Sequence, residues 1–154
     1  MQIIIVGPDG AGKTTLANKL AKDSSFKIVK RNQPKTEEEK ANMFLSYFEQ
    51  ASKNENVIYD RYAYCELVYG VIMRDTTCIS IMQMHELEKE LSKNGSLVIF
   101  CNSDIETLWK ACKERGEDYI TDKQTLLKIQ ARYEHIMLCI KHYIPIVRYD
   151  VKNA

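Results

Sequence analysis

A chain of 154 residues holds one core comfortably and would divide poorly into two self-stabilising domains, so a single domain over residues 1–154 is expected. Hydrophobic residues make up 45 % and charged residues 28 %, the balance of an ordinary soluble globular protein, with no stretch long and apolar enough for a membrane span. Lys plus Arg number 22 against 21 Asp plus Glu, so no whole-molecule field draws in DNA, RNA or anionic lipid.

Strand residues begin at position 3, leaving no room for a signal peptide, and the expected location is the cytoplasm. The five cysteines, Cys65, Cys78, Cys101, Cys112 and Cys139, form no C-x-x-C pair, and an odd number argues against a disulfide framework. Free, buried thiols are the expectation.

In chain order, Ile3-Ile4-Ile5-Val6 reads as a buried strand. It runs into Gly7-Pro8-Asp9-Gly10-Ala11-Gly12-Lys13-Thr14-Thr15, and a helix with an apolar face of Leu16, Ala17, Leu20 and Ala21 follows. The spacing G-x-x-x-x-G-K-T lets glycine-permitted angles turn backbone N–H groups around a polyphosphate, and the helix presents its positive end to the same anion. Lys13 then faces the β- and γ-phosphates, and the Thr14 hydroxyl is a ligand for Mg²⁺.

A second strand is expected at 26–29, and Pro34 breaks the chain. Thr36 with Glu39 makes a capping-box signature, and Met43, Phe44, Tyr47 and Phe48 recur at helical spacing to about Lys53. Asn54-Glu55-Asn56 is turn chemistry, and Val57-Ile58-Tyr59 is a central strand that delivers Asp60-Arg61-Tyr62 at its carboxyl end. Two helices fill 64–93 with a break near Asp75, and Leu97 to Phe100 is a further buried strand. Asp104 caps a helix carrying Ile105, Leu108, Trp109 and Cys112 that ends at Gly116. The longest helix carries Leu126, Ile129, Tyr133, Ile136 and Ile140, and Ile144 to Tyr149 closes the chain as an edge strand with Pro145 near its start.

Strands separated by helices mean an α/β fold of three layers, an approximately five-stranded parallel sheet with helices on both faces. Ligands bind beyond the carboxyl ends of such strands, so the phosphate loop and Asp60-Arg61-Tyr62 converge on one rim. An acid at the end of the central strand can support the waters of a Mg²⁺ on Thr14, and an adjacent arginine can clamp a second phosphate in fork geometry.

Three stretches resemble the thymidylate kinase family of P-loop nucleoside monophosphate kinases: the loop from Gly7 to Thr15; Asp60-Arg61-Tyr62-Ala63-Tyr64; and Glu114-Arg115-Gly116-Glu117-Asp118-Tyr119-Ile120 followed by Ala131-Arg132-Tyr133. Together they span nearly the whole chain. The resemblance implies a P-loop kinase fold and a Mg²⁺- and ATP-dependent transfer to a pyrimidine deoxynucleoside monophosphate. Gly7, Asp9, Gly10, Ala11, Gly12, Lys13, Thr14 and Thr15 would line the ATP phosphates, with Thr14 on Mg²⁺ and Asp60 supporting the metal through water. Asp9 would approach the acceptor's sugar or attacking oxygen, Arg61 its phosphate, and Arg31, Phe44, Tyr62 and Tyr69 would complete the acceptor side. Arg115 would swing in from a lid at about 113–123 to neutralise the transferring group. A homodimer is an option by resemblance only.

The chain departs from the family in Lys30-Arg31-Asn32-Gln33-Pro34-Lys35, which keeps Arg and Pro without the usual glycines, and in the helix of Phe44 and Phe48, which carries no arginine. Two other readings therefore stand beside the first. A hydroxyl acceptor, on a deoxynucleoside or on a hydroxymethylated pyrimidine in DNA, would make Asp9 or Asp60 a general base, and Lys27, Lys30, Arg31 and Lys35 form a local basic cluster for DNA. The third is a nucleotide-binding protein without catalysis. Phe44, Tyr47, Phe48, Tyr64 and Tyr69 either stack on a base or fill helix interfaces, with packing the default. His135 and His142, placed on one helical face, are too far apart to share a metal; His85 stands alone, and none of the three is assigned a catalytic role.

Overall fold

The computed structural model describes residues 1–116 and 120–153. Five strands, β1 (Gln2–Val6), β2 (Lys27–Lys30), β3 (Val57–Asp60), β4 (Leu97–Asn102) and β5 (Ile146–Asp150), form one sheet in the order β2-β3-β1-β4-β5. Every pairing is parallel, so each connection must cross over through a helix. The central strands β1 and β3 are almost wholly buried, whereas of the two edges β2 is largely exposed and β5 is half-buried with Val147 and Arg148 exposed. Pro145 lies just before β5, where its missing N–H costs the sheet nothing.

The helices are α1 (Lys13–Ala21), α2 (Glu37–Ala41), α3 (Met43–Ala51), α4 (Tyr64–Arg74), α5 (Ile81–Ser92), α6 (Ile105–Glu114) and α7 (Lys123–Glu134). They cover both faces of the sheet; α3 packs on α5, and α7 packs on α4 and α6. Among the described residues, no helix is long and apolar enough to cross a membrane.

The expected capping box forms, with Glu39 N donating to Thr36 Oγ1 at 3.0 Å and the Glu39 carboxylate accepting from Thr36 N. The helix it starts is short. It stops at Asn42, because Glu37–Ala41 buries nothing, and the apolar face of Met43 and Tyr47 belongs to a separately oriented α3. At the other end of the chain, Leu126, Ile129, Tyr133 and Ile136 are all buried as their spacing implies, but α7 widens into a π turn over His135–Cys139. His142 lies beyond this turn, off the helix on which its spacing placed it. There its Nδ1 meets Glu88 Oε2 at 2.7 Å and its Nε2 meets the Ile136 carbonyl at 2.8 Å. The thiols also divide differently from expectation: Cys101 and Cys112 are buried, Cys65 and Cys78 half-buried, and Cys139 exposed.

Strand register positions the site. Ile5 pairs with Asp60, and Arg61 N donates to the Ile5 carbonyl at 3.0 Å, so the end of β3 lies directly beside the start of the phosphate loop.

Candidate functional site

The phosphate loop is seated against the ends of β4 and α6 so closely that side chains are excluded. A Cβ on Gly7 would stand 2.0 Å from the Cys101 carbonyl oxygen, and one on Gly10 would stand 2.4 Å from that of Leu108. Gly10 and Gly12 also have φ of 84° and 79°, which turn the chain into the first turn of α1. Lys13 folds back over the loop, its Nζ donating to the carbonyls of Gly7 and Pro8 at 2.8 Å each. Burial, and then the Arg61 guanidinium, lower the pKa of that ammonium, while Asp9 opposes the change. Its charge is satisfied by two neutral carbonyls that an anionic phosphate can outcompete.

Beside the loop, Thr14 Oγ1 donates to Asp60 Oδ2 at 2.7 Å. A hydroxyl and a carboxylate adjacent to a nest of backbone N–H groups supply the oxygen donors that Mg²⁺ prefers, so this pair fits the ion. Thr15 is exposed one residue further along α1.

Asp9 is almost completely buried, at 2 % exposure, and does not stand free. Tyr69 donates its phenol to Asp9 Oδ2 at 2.5 Å, and Arg61 Nη2 lies 3.5 Å from Asp9 Oδ1. Burial, and then the Asp9 carboxylate, push the Tyr69 phenol well above its ordinary pKa, so it remains a donor. Arg61 adopts φ of 78°, a left-handed conformation that costs a side-chain-bearing residue of order 1 kcal/mol or more and is held by its neighbours. Burial opposes its charge, yet Cys65, Tyr69, Asp9 and Tyr133 around it hold its proton more tightly than water does.

A cleft of about 210 Å³ opens next to these residues, between the segment after β2, α3 and the start of α4. Arg31, Pro34, Met43, Tyr47, Arg61, Tyr62, Cys65, Glu66 and Tyr69 line it. Arg31 is fixed there: it donates to Gln50 Oε1 at 2.8 Å and to Ser46 Oγ at 3.3 Å, and its guanidinium lies 3.9 Å over the Tyr47 ring. Arg31, Arg61, Tyr62 and Tyr69, four of the residues expected on the acceptor side, thus meet in one cleft.

Phe44 does not join them. It faces the opposite side of α3, packing on Phe48 and lining a groove with Met82, His85 and Tyr143, and Tyr47, one turn on, takes the position at the cleft. Arg115 sits exposed at the carboxyl end of α6 and does not line this cleft. The central part of the expected lid, residues 117–119, lies outside the described residues.

One residue at the cleft escaped sequence reasoning. Glu66 is buried on α4, its Oε2 accepting from Arg74 Nη2 at 2.6 Å and its Oε1 from Cys78 N at 3.2 Å. The signal was there in outline, because Glu66 is the lone charge between Tyr64 and Met73. A charged residue in so apolar a helix must find a partner or a use.

A family model described as "ATPase family associated with various cellular activities (AAA)" matches residues 3–60, the stretch from β1 through the phosphate loop to the end of β3. The chain is 29 % identical over 121 residues to the SPbeta prophage-derived uncharacterized protein YorR of Bacillus subtilis (strain 168), covering 79 % of this chain and 73 % of that protein. The crystal structure of YorR in complex with phosphorylated GDP superposes with a TM-score of 0.81 at 26 % identity, over 97 % of this chain and 85 % of YorR. The fold is that of a P-loop kinase. Deoxyadenosine kinase from M. mycoides with bound dCTP shares that fold more distantly, with a TM-score of 0.65 at 19 % identity over 99 % of this chain and 94 % of the kinase.

Proposed function

We propose that this P-loop kinase-like protein is a Mg²⁺- and ATP-dependent phosphotransferase that moves the γ-phosphoryl group to the phosphate of a deoxynucleoside monophosphate. The observation that carries the reading is the balance of charge around the cleft. Arg31 and Arg61 are both fixed on its wall, whereas the two carboxylates next to the phosphate loop are already engaged, Asp9 by Tyr69 and Arg61, and Asp60 by Thr14. A phosphate acceptor is anionic and needs positive charge and alignment rather than a base. A hydroxyl acceptor needs a carboxylate or histidine free to take its proton.

In this reading, Lys13 leaves the Gly7 and Pro8 carbonyls for the β- and γ-phosphates, and Arg61 holds the acceptor phosphate in line while keeping its contact with Asp9. Thr14 and Asp60 would hold Mg²⁺, which supplies neutralisation of the charge developing on the phosphates. Arg115 is proposed to add charge from the lid side. The resemblance to thymidylate kinases supports a pyrimidine acceptor through the loop and the Asp-Arg-Tyr stretch, but Phe44, its expected base contact, lies on the far side of α3. YorR was solved in complex with phosphorylated GDP, which supports nucleotide binding by this chain.

The test follows ADP release from Mg-ATP with a panel of deoxynucleoside monophosphates, deoxynucleosides and DNA bearing hydroxymethylated pyrimidines. Release with monophosphates alone is the expected result. Release with only the nucleosides or only the DNA overturns the reading in favour of a hydroxyl acceptor.

A further inference from the structure

We propose that Cys65 is a modification site inside the cleft, where its thiol exchanges with an anionic low-molecular-weight disulfide and the attached group shuts out the acceptor. The modification stands on the geometry of the cleft; its consequence rests on the nucleotide-acceptor reading above. Among the described residues, Cys65 is the one thiol that lines the cleft. It lies in the first turn of α4, its N–H donating to the Tyr62 carbonyl at 3.0 Å. From α7 the buried Tyr133 donates its phenol to Cys65 Sγ at 3.1 Å, so the sulfur is held in place, yet the residue is only half-buried.

The surroundings of this thiol favour an anion. The charged residues lining the cleft are Lys30, Arg31 and Arg61 against Glu66, whose carboxylate is taken up by Arg74. A concave wall of one net sign raises the local concentration of ions of the other sign. Tyr62 lines the same cleft at 1 % exposure, and its hydroxyl has no hydrogen-bond partner among the described residues. A buried hydroxyl left without a partner marks a wall shaped for an occupant with polar atoms of its own.

In the exchange, the Cys65 sulfur gives its proton to water and attacks one sulfur of the disulfide. The S–S bond of the reagent breaks as the new one forms, and the departing half leaves as a thiolate that takes up the proton. Cys65 is oxidised and half of the reagent is reduced, so no other oxidant enters. In a cleft of about 210 Å³ the attached half occupies space that an acceptor needs, whereas the phosphate loop lies outside it. Cys78 and Cys139 lie outside the cleft, and Cys101 and Cys112 are buried.

Glutathione disulfide, whose carboxylates outnumber its amines, serves as the anionic probe and 2-hydroxyethyl disulfide as the neutral one, with adducts located by mass spectrometry of digests. Each reagent is scaled to its own rate at the exposed Cys139. On that scale Cys65 is expected to react roughly 10-fold faster with the anionic probe at low salt, and the advantage should shrink as salt rises. In Cys78→Ser/Cys139→Ser, Cys65 is the only thiol left that is not buried. Modification of that variant should abolish calorimetric binding of deoxynucleoside monophosphates and spare ATP binding, and dithiothreitol should reverse the loss. If the variant does not fold, the rate comparison in the native protein still decides. No adduct at Cys65, or equal scaled rates for the two probes, overturns the modification site. An adduct that leaves monophosphate binding intact overturns the closing of the cleft. Failure of the unmodified protein to bind any monophosphate overturns the nucleotide-acceptor reading, while the rates at Cys65 still decide the site.

Discussion

Between Gly7 and Thr15 the chain shapes its site mostly with backbone atoms, whereas the cleft beside it is walled by side chains from β2's end, α3, β3's end and α4. The first region is continuous, and its form is enforced at the glycines by carbonyls of Cys101 and Leu108 that leave no space for a Cβ. The second exists only because separate segments meet: Arg31 is steadied by α3 through Ser46, Tyr47 and Gln50, and Arg61 reaches Asp9 across from β1. Chemistry common to every nucleoside triphosphate can be built into a short stretch of backbone. Choice of acceptor needs side chains, and those can be exchanged one at a time.

The contrast can be broken at its strongest point by Lys13→Ala, which removes the one side-chain charge the loop holds over the phosphates. Turnover is expected to fall by about 1000-fold with any acceptor, as read by ADP release, while folding persists because the loop loses only two bonds to its own carbonyls. A drop confined to one acceptor would place Lys13 on the wrong side of the comparison.

Arg61→Ala addresses the other region. The acceptor requirement should rise by about 100-fold while that for ATP changes far less, and steady-state measurement with each substrate varied in turn distinguishes the two. Equal loss for both would make Arg61 a structural residue or one that serves ATP.

A change remote from both regions supplies the control. Glu88 is fully buried and accepts from His142, from Tyr64 Oη and from Tyr143 N, tying α5 to α4 and to the segment before β5. Burial alone would lower the His142 pKa, but the hydrogen bond and charge of Glu88 and the Ile136 carbonyl outweigh it and raise the value above 6.5. Stability from the protonated pair is therefore complete below about pH 6.5 and fades as pH climbs through the higher folded value. His142→Ala should cost about 3 kcal/mol at pH 6 and flatten that dependence, as measured by denaturant unfolding across pH. Affinity for ATP should not follow.

The smallest effect is expected at Thr36. Loss of its bond to Glu39 N in Thr36→Ala should cost about 1 kcal/mol, detectable as a lower unfolding midpoint. Any change in acceptor affinity should exceed the change for ATP, since the residues on either side of α2, Pro34 and Met43, line the cleft and not the loop.

Local patterns made much of this molecule readable. Ile4, Ile5 and Val6 announced a buried strand because a parallel sheet covered on both faces demands apolar side chains on each, and the glycines after them announced a loop because positive φ favours glycine and Gly7 and Gly10 have no space for a Cβ. Thr36 and Glu39 likewise marked a helix start, since both partners of the capping box lie within one turn. Asp60 and Arg61 could be set beside the loop from fold topology alone.

Phe44 shows where such reasoning stops. Its helical spacing is the same as that of Tyr47, and which of the two meets the cleft depends on the rotation of α3 after the break at Asn42, set by its packing on α5. His142 was misplaced for a related reason, because the π turn ends the helical register before it. Glu66 could be noticed as an isolated charge, but its pairing with Arg74 and the backbone of Cys78 and its position on the cleft wall arise only when α4 and the turn after it close together. The sequence by itself determined the strand order's raw material, the phosphate loop and the acid and arginine at its side, because these follow from backbone angles and short-range periodicity. Tertiary structure alone decided that Tyr47 and Glu66, and not Phe44, wall the cleft beside Arg31, Arg61, Tyr62 and Tyr69, because that is a question of helix rotation and long-range packing that no local pattern encodes.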